Sequence, residues 1–265
     1  MLIDINTYIG HWPFRQLRNN TAVGLLSKMD EYGIDMAVVS SLNAVFYKDT
    51  QEGNRELIEE IQNNKAQDRF IPFAVINPKY SAWEKDFIYC VENMGMKGLE
   101  LYPYYHRYAL TEPESVELVK LAGEMNIPVH LPCSIVNVRQ RHWMDTNDNL
   151  KYDQVEKLLA LCPDTDFIIS NGPSHMIARQ LKKVSKERKG RVYYDFARLD
   201  VFALRAPTSA FNALVQDAGI DHIVFGSVLP FQYADPQFVR LTYAGLSEED
   251  MDKVTSGNLK KLFQL

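Results

Sequence analysis

The sequence lacks any run of 18 consecutive apolar residues, so no membrane-spanning helix is expected. It also lacks an excess of positive charge. Lysine and arginine number 29 against 34 aspartate and glutamate, a net charge of −5 with histidine neutral. A nucleic-acid surface needs clustered cations interleaved with aromatics. The one basic cluster, KKVSKERKGR (182–191), reads as a helix end and a turn, so no nucleic-acid partner is expected. Cysteine is scarce: Cys90, Cys133 and Cys162 are widely spaced and odd in number. They read as reduced thiols of a cytoplasmic protein rather than a disulfide framework. The chain opens directly on a strand pattern, with no charged-then-apolar leader, so no signal peptide is expected. No G-x-G-x-x-G follows the first strand pattern and no P-loop is present, which removes the usual cradles for nucleotide phosphates. Low-complexity stretches, linkers and short repeats are missing as well.

What remains is an alternation of strand and helix patterns. Apolar, β-rich runs fall at 2–9, 35–42, 70–77, 97–103, 127–133, 166–171, 191–197 and 222–228. Between them, Ala22, Leu25, Leu26 and Met29 follow helical spacing, and Gly33 closes that helix. Ser81 with Glu84 and Thr111 with Glu114 read as capping boxes, with Pro113 inside a first turn. Trp83, Phe87, Ile88 and Val91 form the expected buried stripe behind the first of these. Tyr152 to Leu159, the segment opened by Pro173, Phe211 to Val215, and Ser247 with Asp250 mark further helices. Eight βα units close either as a (β/α)8 barrel or as a doubly wound open sheet. The strand patterns end in polar residues, namely Asn6, Tyr8, Glu100, His130, Asn171, Asp195 and Ser227. In a barrel those ends converge on one mouth, where active sites sit. The expected fold is therefore α/β, a (β/α)8 TIM barrel forming a single domain over residues 1–265.

The stretch IDINTYIGHWPFR (3–15) places Asp4, Asn6 and Tyr8 on one face of the first strand and then turns into a loop of His11, Trp12 and Arg15. Together with GMKGLELYP (95–103), NIPVHLPCS (126–134), FIISNGPS (167–174), RVYYDFA (191–197), HIVFGSVLP (222–230) and GNLKKLFQL (257–265), it resembles the amidohydrolase-related proteins of the amidohydrolase 2 type. These are metal-dependent hydrolases and decarboxylases on a distorted TIM barrel. The resemblance implies a metal held by a His-x-His pair on strand one, histidines after strands five and six, and an aspartate after strand eight. Those positions hold Asn6 and Tyr8, Pro132, Asn171 and Val228 here. Zinc-type sites use cysteine, histidine and carboxylates, so the resemblance implies the fold and the pocket but no metal ligands, and no cofactor is expected.

His130 is the candidate proton carrier at the pocket floor, because imidazole exchanges protons near neutral pH. Cys133, three residues on, falls on the opposite face of the strand and makes no dyad with it. Glu100 and Asp195 lie in apolar strands, where a carboxylate needs a partner. Either they pair with Arg198, Lys97 or Arg107, or they act with His130 as catalytic acid and base. For ligand binding the candidates are Asn6, Tyr8, His11, Arg15, Tyr102, Tyr104, His106, Arg139, Asn171 and His175. LYPYYHRYAL (101–110) carries phenols and an imidazole suited to an organic ligand or to a subunit interface. NVRQRHWMD (137–145) carries arginines able to clamp a carboxylate and the length to act as a lid.

Three readings follow. The first is a metal-independent hydrolase or carbon–carbon lyase acting on a small organic acid or lactone. In the second, the barrel is a pseudoenzyme that binds a ligand or partner without chemistry. The third is a metal enzyme with ligands relocated to His130, Glu100, Asp195 and His11. A small-molecule partner, carboxylated in the first reading, and a homo-oligomer are expected.

Overall fold

The computed structural model describes residues 1–146, 148–199 and 207–265. Its core is a parallel sheet of eight strands in sequence order. These are β1 (Ile3–Ile9), β2 (Met36–Ser41), β3 (Phe70–Val75), β4 (Gly98–Glu100), β5 (Val129–Pro132), β6 (Phe167–Ser170), β7 (Val192–Asp195) and β8 (Ile223–Val224). The last strand returns to the first: Ile5 N–H donates to Phe225 O, Val228 N–H to Asn6 O and Tyr8 N–H to Leu229 O, each at 2.9 Å. The sheet is thus a (β/α)8 TIM barrel.

Two apolar layers hold it. The barrel interior is filled by Ile3, Ile5, Val38, Phe73, Ile168, Tyr193 and Val224. Leu259 and Leu262 join them from the C-terminal helix, which plugs the end where the strands begin. Phe73 fits inside only because β4 opens on Gly98, whose added Cβ would lie 2.3 Å from the Phe73 ring. The outer layer sets Leu25 and Met29 of α1 (Ala22–Tyr32), Leu118 and Val119 of α6 (Pro113–Glu124) and their counterparts against outward strand residues such as Val39, Leu99 and Ile169. Between α1 and α6 come α2 (Leu42–Phe46), α3 (Thr50–Asn63), α4 (Trp83–Glu92) and α5 (Pro103–His106). After α6 come α7 (Tyr152–Leu161), α8 (Ser174–Lys186), α9 (Pro207–Ala218), α10 (Asp235–Tyr243), α11 (Glu248–Asp252) and α12 (Asn258–Phe263).

Local signals hold where the backbone geometry is free to follow them. Thr21 caps α1 by accepting from Gly24 N–H, and Gly33 ends it at φ 67°. Ser247 caps α11 by accepting from Asp250 N–H. The two predicted capping boxes do not form. In α4 the cap is Ala82, with no side-chain bond, and the buried face is Phe87 and Cys90, with Trp83 and Val91 packed only partly. In α6, Pro113 at the first helical position moves the cap to Glu112, whose carboxylate turns back to Ala109 N–H and out to Lys79.

The shared face of Asp4, Asn6 and Tyr8 is also corrected. The register of β1 against β2 slips between Asp4 and Thr7, a β-bulge. Ile3 and Ile5 point into the barrel, and after the bulge Asn6 and Tyr8 do as well. Asp4 instead secures the bulge: its Oδ1 accepts from Asn6 N–H at 2.9 Å and Ser227 N–H at 3.0 Å, tying β1 to the segment after β8.

Candidate active site at the C-terminal mouth

Above the apolar layer lies a ring of polar side chains from the strand ends, and no residue in it is more than 1 % exposed: Asn6, Tyr8, Glu100, Tyr102, His130, Ser170, Asn171 and Asp195. Burying so many polar groups is costly unless they bond to one another; they fall into two groups, although His130 Nδ1 and Asn6 Oδ1 have no hydrogen bond. In the first, Tyr102 Oη donates to Glu100 Oε1 at 2.6 Å. Glu100 Oε2 lies 3.5 Å from His130 Nδ1, and His130 Nε2 shares a 2.6 Å hydrogen bond with Ser170 Oγ. In the second, Asn6 Nδ2 donates to Asn171 Oδ1 and to Asp195 Oδ2, both at 2.8 Å. Asn171 returns its backbone N–H to Asp195 Oδ1 at 3.2 Å and its Nδ2 to Tyr8 Oη at 3.1 Å.

Burial dominates the electrostatics. It pushes the Asp195 carboxyl up to about 6 despite the bonds from Asn6 and Asn171 and the nearby His130 and Arg198. The Asp4 carboxyl rises to about 7 for the same reason. Burial, then the Glu100 charge, holds the Tyr8 and Tyr102 phenols well above their usual range, so both stay protonated.

Ser170, bonded to His130, is one side chain the sequence reading missed; the role of Arg198, just past β7, is another. Arg198 is 1 % exposed. Its guanidinium reaches the segment after β5, donating to Ser134 Oγ at 3.0 Å, Ser134 O at 3.3 Å and Ile135 O. Those acceptors carry no formal charge. Its Nε–H has no partner, and the charge acts on Tyr8 and Asp195. In sequence it stood only as a structural partner for the carboxylates. The available signal was an arginine just past the end of an apolar strand, three residues after Asp195.

Aromatic side chains roof the polar ring. Tyr8 meets the Phe231 ring edge-on at 5.6 Å, and Trp12 meets Phe231 at 5.1 Å, Phe46 at 5.2 Å and Tyr105 at 6.0 Å. Arg15 closes the rim, donating to Phe231 O at 2.9 Å and Gln140 Oε1 at 3.2 Å. His142 stacks on Phe14 at 6.0 Å, so part of the 137–145 loop does lie over the 11–15 turn.

Of the thirteen sequence candidates, the ring gathers Asn6, Tyr8, Glu100, Tyr102, His130, Asn171 and Asp195. Glu100 pairs with His130 and Tyr102, not with Lys97 or Arg107. Tyr104 sits in the adjoining wall, its Oη donating to Pro132 O at 3.0 Å. Four candidates stand apart from the ring. His11 is exposed and contributes its backbone N–H to Asn43. His106 faces Val45 O at 3.2 Å at the end of α2, where burial lowers its pKa to about 4 and keeps it neutral. Arg139 is exposed on a short 3₁₀ turn. His175 is half-buried on α8, with burial and Arg179 lowering its pKa. The Cys133 sulfur sits beside Gly172, where an added Cβ would lie 2.6 Å from it.

A divalent metal does not fit this donor set. Among the described residues no three His, Cys, Asp or Glu side chains converge. Asn6 turns amide hydrogens, not lone pairs, toward Asn171 and Asp195. Asn171 and Val228 both adopt positive φ, 60° and 65°. A β-branched residue rarely does so, yet Val228 offers no donor atom at all.

The model of the amidohydrolase family matches residues 6–265. No curated protein matches the sequence. Among solved structures, a dihydroxybenzoic acid decarboxylase from a Polaromonas species, with bound manganese and the inhibitor 2-nitroresorcinol, superposes with a TM-score of 0.73 at 16% identity, covering 100% of this chain and 97% of that one. A 5-carboxyvanillate decarboxylase from Sphingomonas paucimobilis gives 0.71 at 12% identity, covering 100% and 99%. A 2,6-dihydroxybenzoate decarboxylase from Rhizobium gives 0.67 at 15%, covering 99% and 98%. At these identities the structures speak to the fold, and the family match speaks to descent: the chain belongs to the amidohydrolase family.

Proposed function

We propose that this chain is a hydrolase or carbon–carbon lyase that acts on a small organic acid at the barrel mouth, without the family's divalent metal. The observation that carries the reading is Arg198, a fully buried guanidinium with an unpartnered Nε–H beside Tyr8 and Asp195. It supplies a fixed positive charge where a substrate carboxylate would otherwise be desolvated without a partner. Structural relatives named for 2,6-dihydroxybenzoate and 5-carboxyvanillate support an acid as the substrate class.

In a decarboxylation the bond to the carboxyl carbon breaks, its electron pair stays on the remaining carbon, and a proton is delivered there as carbon dioxide leaves. In the proposed scheme Asp195, whose carboxyl burial raises to about 6, or His130 carries that proton. In a hydrolysis His130 takes a proton from the attacking water, while Tyr8 and Asn171 donate to the developing oxyanion. Ser170 holds His130 through Nε2, and Glu100, fixed by Tyr102, sets its carboxylate 3.5 Å from Nδ1.

The test is turnover of a panel of hydroxybenzoates and aryl lactones by chelator-treated protein. Activity is expected to survive the chelator and to fall by about 100-fold in His130→Gln and Asp195→Asn, the usual scale for a lost proton carrier. With Asp195 as the acid, the rate should decline as pH rises through about 6. Turnover seen only after manganese is added would defeat the metal-independent reading. No turnover at all would favour a barrel that holds a ligand without chemistry. That second reading has its own support: the amide hydrogens of Asn6 are spent on Asn171 and Asp195 rather than left for a substrate.

A further inference from the structure

The basic cluster KKVSKERKGR (182–191) does more than end a helix. Its side chains border a cavity of about 180 Å³ at the end of the barrel where the strands begin, between the last turns of α8, the end of α9 and the start of β7. No member of the polar ring lines it. We infer that this cavity binds a phosphoryl dianion, carried by inorganic phosphate or by a small phosphate ester, at the opposite end of the barrel from the proposed chemistry.

The first argument is charge. Lys182, Lys186, Arg188, Lys189 and Arg191 line the cavity with a single acid, Asp217. That carboxylate is already shared by Lys182 at 3.0 Å and Arg179 at 3.1 Å. Lys189 and Arg191 meet Asp164 at 3.2 Å and Asp166 at 2.9 Å. Among the described residues, Lys186 and Arg188 have no carboxylate partner. The C-terminal end of α8 subtracts about half a charge, less than those two cations supply. Surplus positive charge in a concave place focuses its field on an anion more than the same charge on a flat surface does.

The second argument is construction. The Arg188 guanidinium is half-buried over the Phe167 ring at 4.9 Å, and it donates to the carbonyls of Cys162, Thr165 and Gly190. Those acceptors carry no formal charge, so the guanidinium keeps its own. The turn that carries it is pinned: Lys189 N–H and Gly190 N–H both donate to Pro163 O, at 3.1 and 2.9 Å. Gly190 allows that approach, since an added Cβ would lie 2.1 Å from Thr165 O. Cations on a held backbone bind an anion without first ordering a loop. Size is the third argument. The cavity is smaller than the roughly 300–1,000 Å³ of pockets for drug-sized ligands, so it suits a compact anion. Lysine as a point charge and arginine as a fixed donor both match phosphoryl oxygens.

The probes are inorganic phosphate and glycerol 3-phosphate, titrated into the full chain by calorimetry at about pH 8, where both are mostly dianions. Glycerol is the uncharged control. The expected result is a one-to-one complex with a dissociation constant of about 1 mM or tighter for at least one probe, and no binding of glycerol. Tighter binding of the ester assigns the cavity to an esterified phosphoryl group. Equal or weaker binding assigns it to free phosphate. Lys186→Gln should weaken the complex about fivefold, the scale of one exposed charge. Lys183→Gln is the comparison: Lys183 lies on the same helix but lines a separate hollow with Glu156 and Glu187, so this variant should bind as the parent chain does. Thermal melts confirm that both variants fold. The inference is overturned if no heat is seen up to about 10 mM, an affinity too weak to matter. It is equally overturned if Lys186→Gln binds as the parent does, or if Lys183→Gln weakens binding as much, since the cause would then be diffuse surface charge. Turnover at the mouth is measured separately and is expected to be unchanged in Lys186→Gln, so failure of this site and failure of the proposed chemistry give different results.

Discussion

A guanidinium in a barrel interior must find acceptors, and Arg198 finds them on a neighbouring loop rather than on a carboxylate. Replacing it with methionine strands the Ser134 and Ile135 carbonyls and leaves Asp195 without a nearby cation. Arg198→Met is expected to lower the unfolding free energy by about 3 kcal/mol, read from urea midpoints, because broken buried polar networks cost that much. Gly98→Ala tests a different residue-scale constraint. Its new methyl would meet the Phe73 ring at 2.3 Å, and that ring is already wedged between His130 and Phe263. Overpacking should cost about 2–3 kcal/mol, with a lowered urea midpoint and an unchanged slope. The inward-facing candidates were legible from the polarity of the strand ends, although the bulge in β1 breaks simple alternation there. His11, His106, Arg139 and His175 were not, because a loop or helix residue near a strand end has no fixed periodicity to aim it. Arg198 was missed for the converse reason: its long side chain acts on a loop that sequence distance does not bring near.

At the scale of elements, the barrel closes where β1 is least regular. The Asp4 carboxylate holds the bulge and bridges to Ser227, and burial raises its pKa from 3.8 to about 7. The sign of the linkage follows from that direction. Below the unfolded value of 3.8 the group is protonated in both states and costs nothing. As pH rises toward 7 only the unfolded chain ionises, so stability is progressively lost, and above the folded pKa the loss is complete. For Asp4 the full span is on the order of 4 kcal/mol, with Asp195 adding in the same sense between 3.8 and about 6. Asp4→Asn keeps the Oδ1 acceptor for both N–H groups and removes the titration. Thermal melts from pH 4 to 8 should therefore show a falling midpoint in the parent chain and a flatter profile in the variant. A profile of equal steepness in both would remove Asp4 from the account. The bulge itself was not legible. DINTY alternates polar and apolar residues without a break, and only pairing with β2 reveals the extra residue. The failed capping boxes teach the same lesson at the helix ends, where Pro113 outweighs Thr111.

For the molecule as a whole, the question is whether a metal belongs to the folded state. A ligand present at 100 times its dissociation constant stabilises by about 2.7 kcal/mol, which moves a melting midpoint by several degrees in a chain of this size. With amide hydrogens, a proline and a valine at the positions in question, 1 mM manganese chloride or a chelator should shift the midpoint by less than about 1 °C. A shift of several degrees, lost when His130 is replaced, would revive the reading of relocated ligands. The barrel was legible because eight apolar strand runs separated by amphipathic helices leave few ways to bury both faces of a parallel sheet. The family was legible from seven short segments in order. What only the tertiary structure decided is which polar groups meet. Asn6 reaches Asn171 and Asp195 across 165 and 189 residues of sequence, and Arg198 reaches back 64 to Ser134. Burial pressed these groups into hydrogen-bonded sets beneath an aromatic roof, because a polar side chain denied water must bond to whatever the closed barrel places beside it.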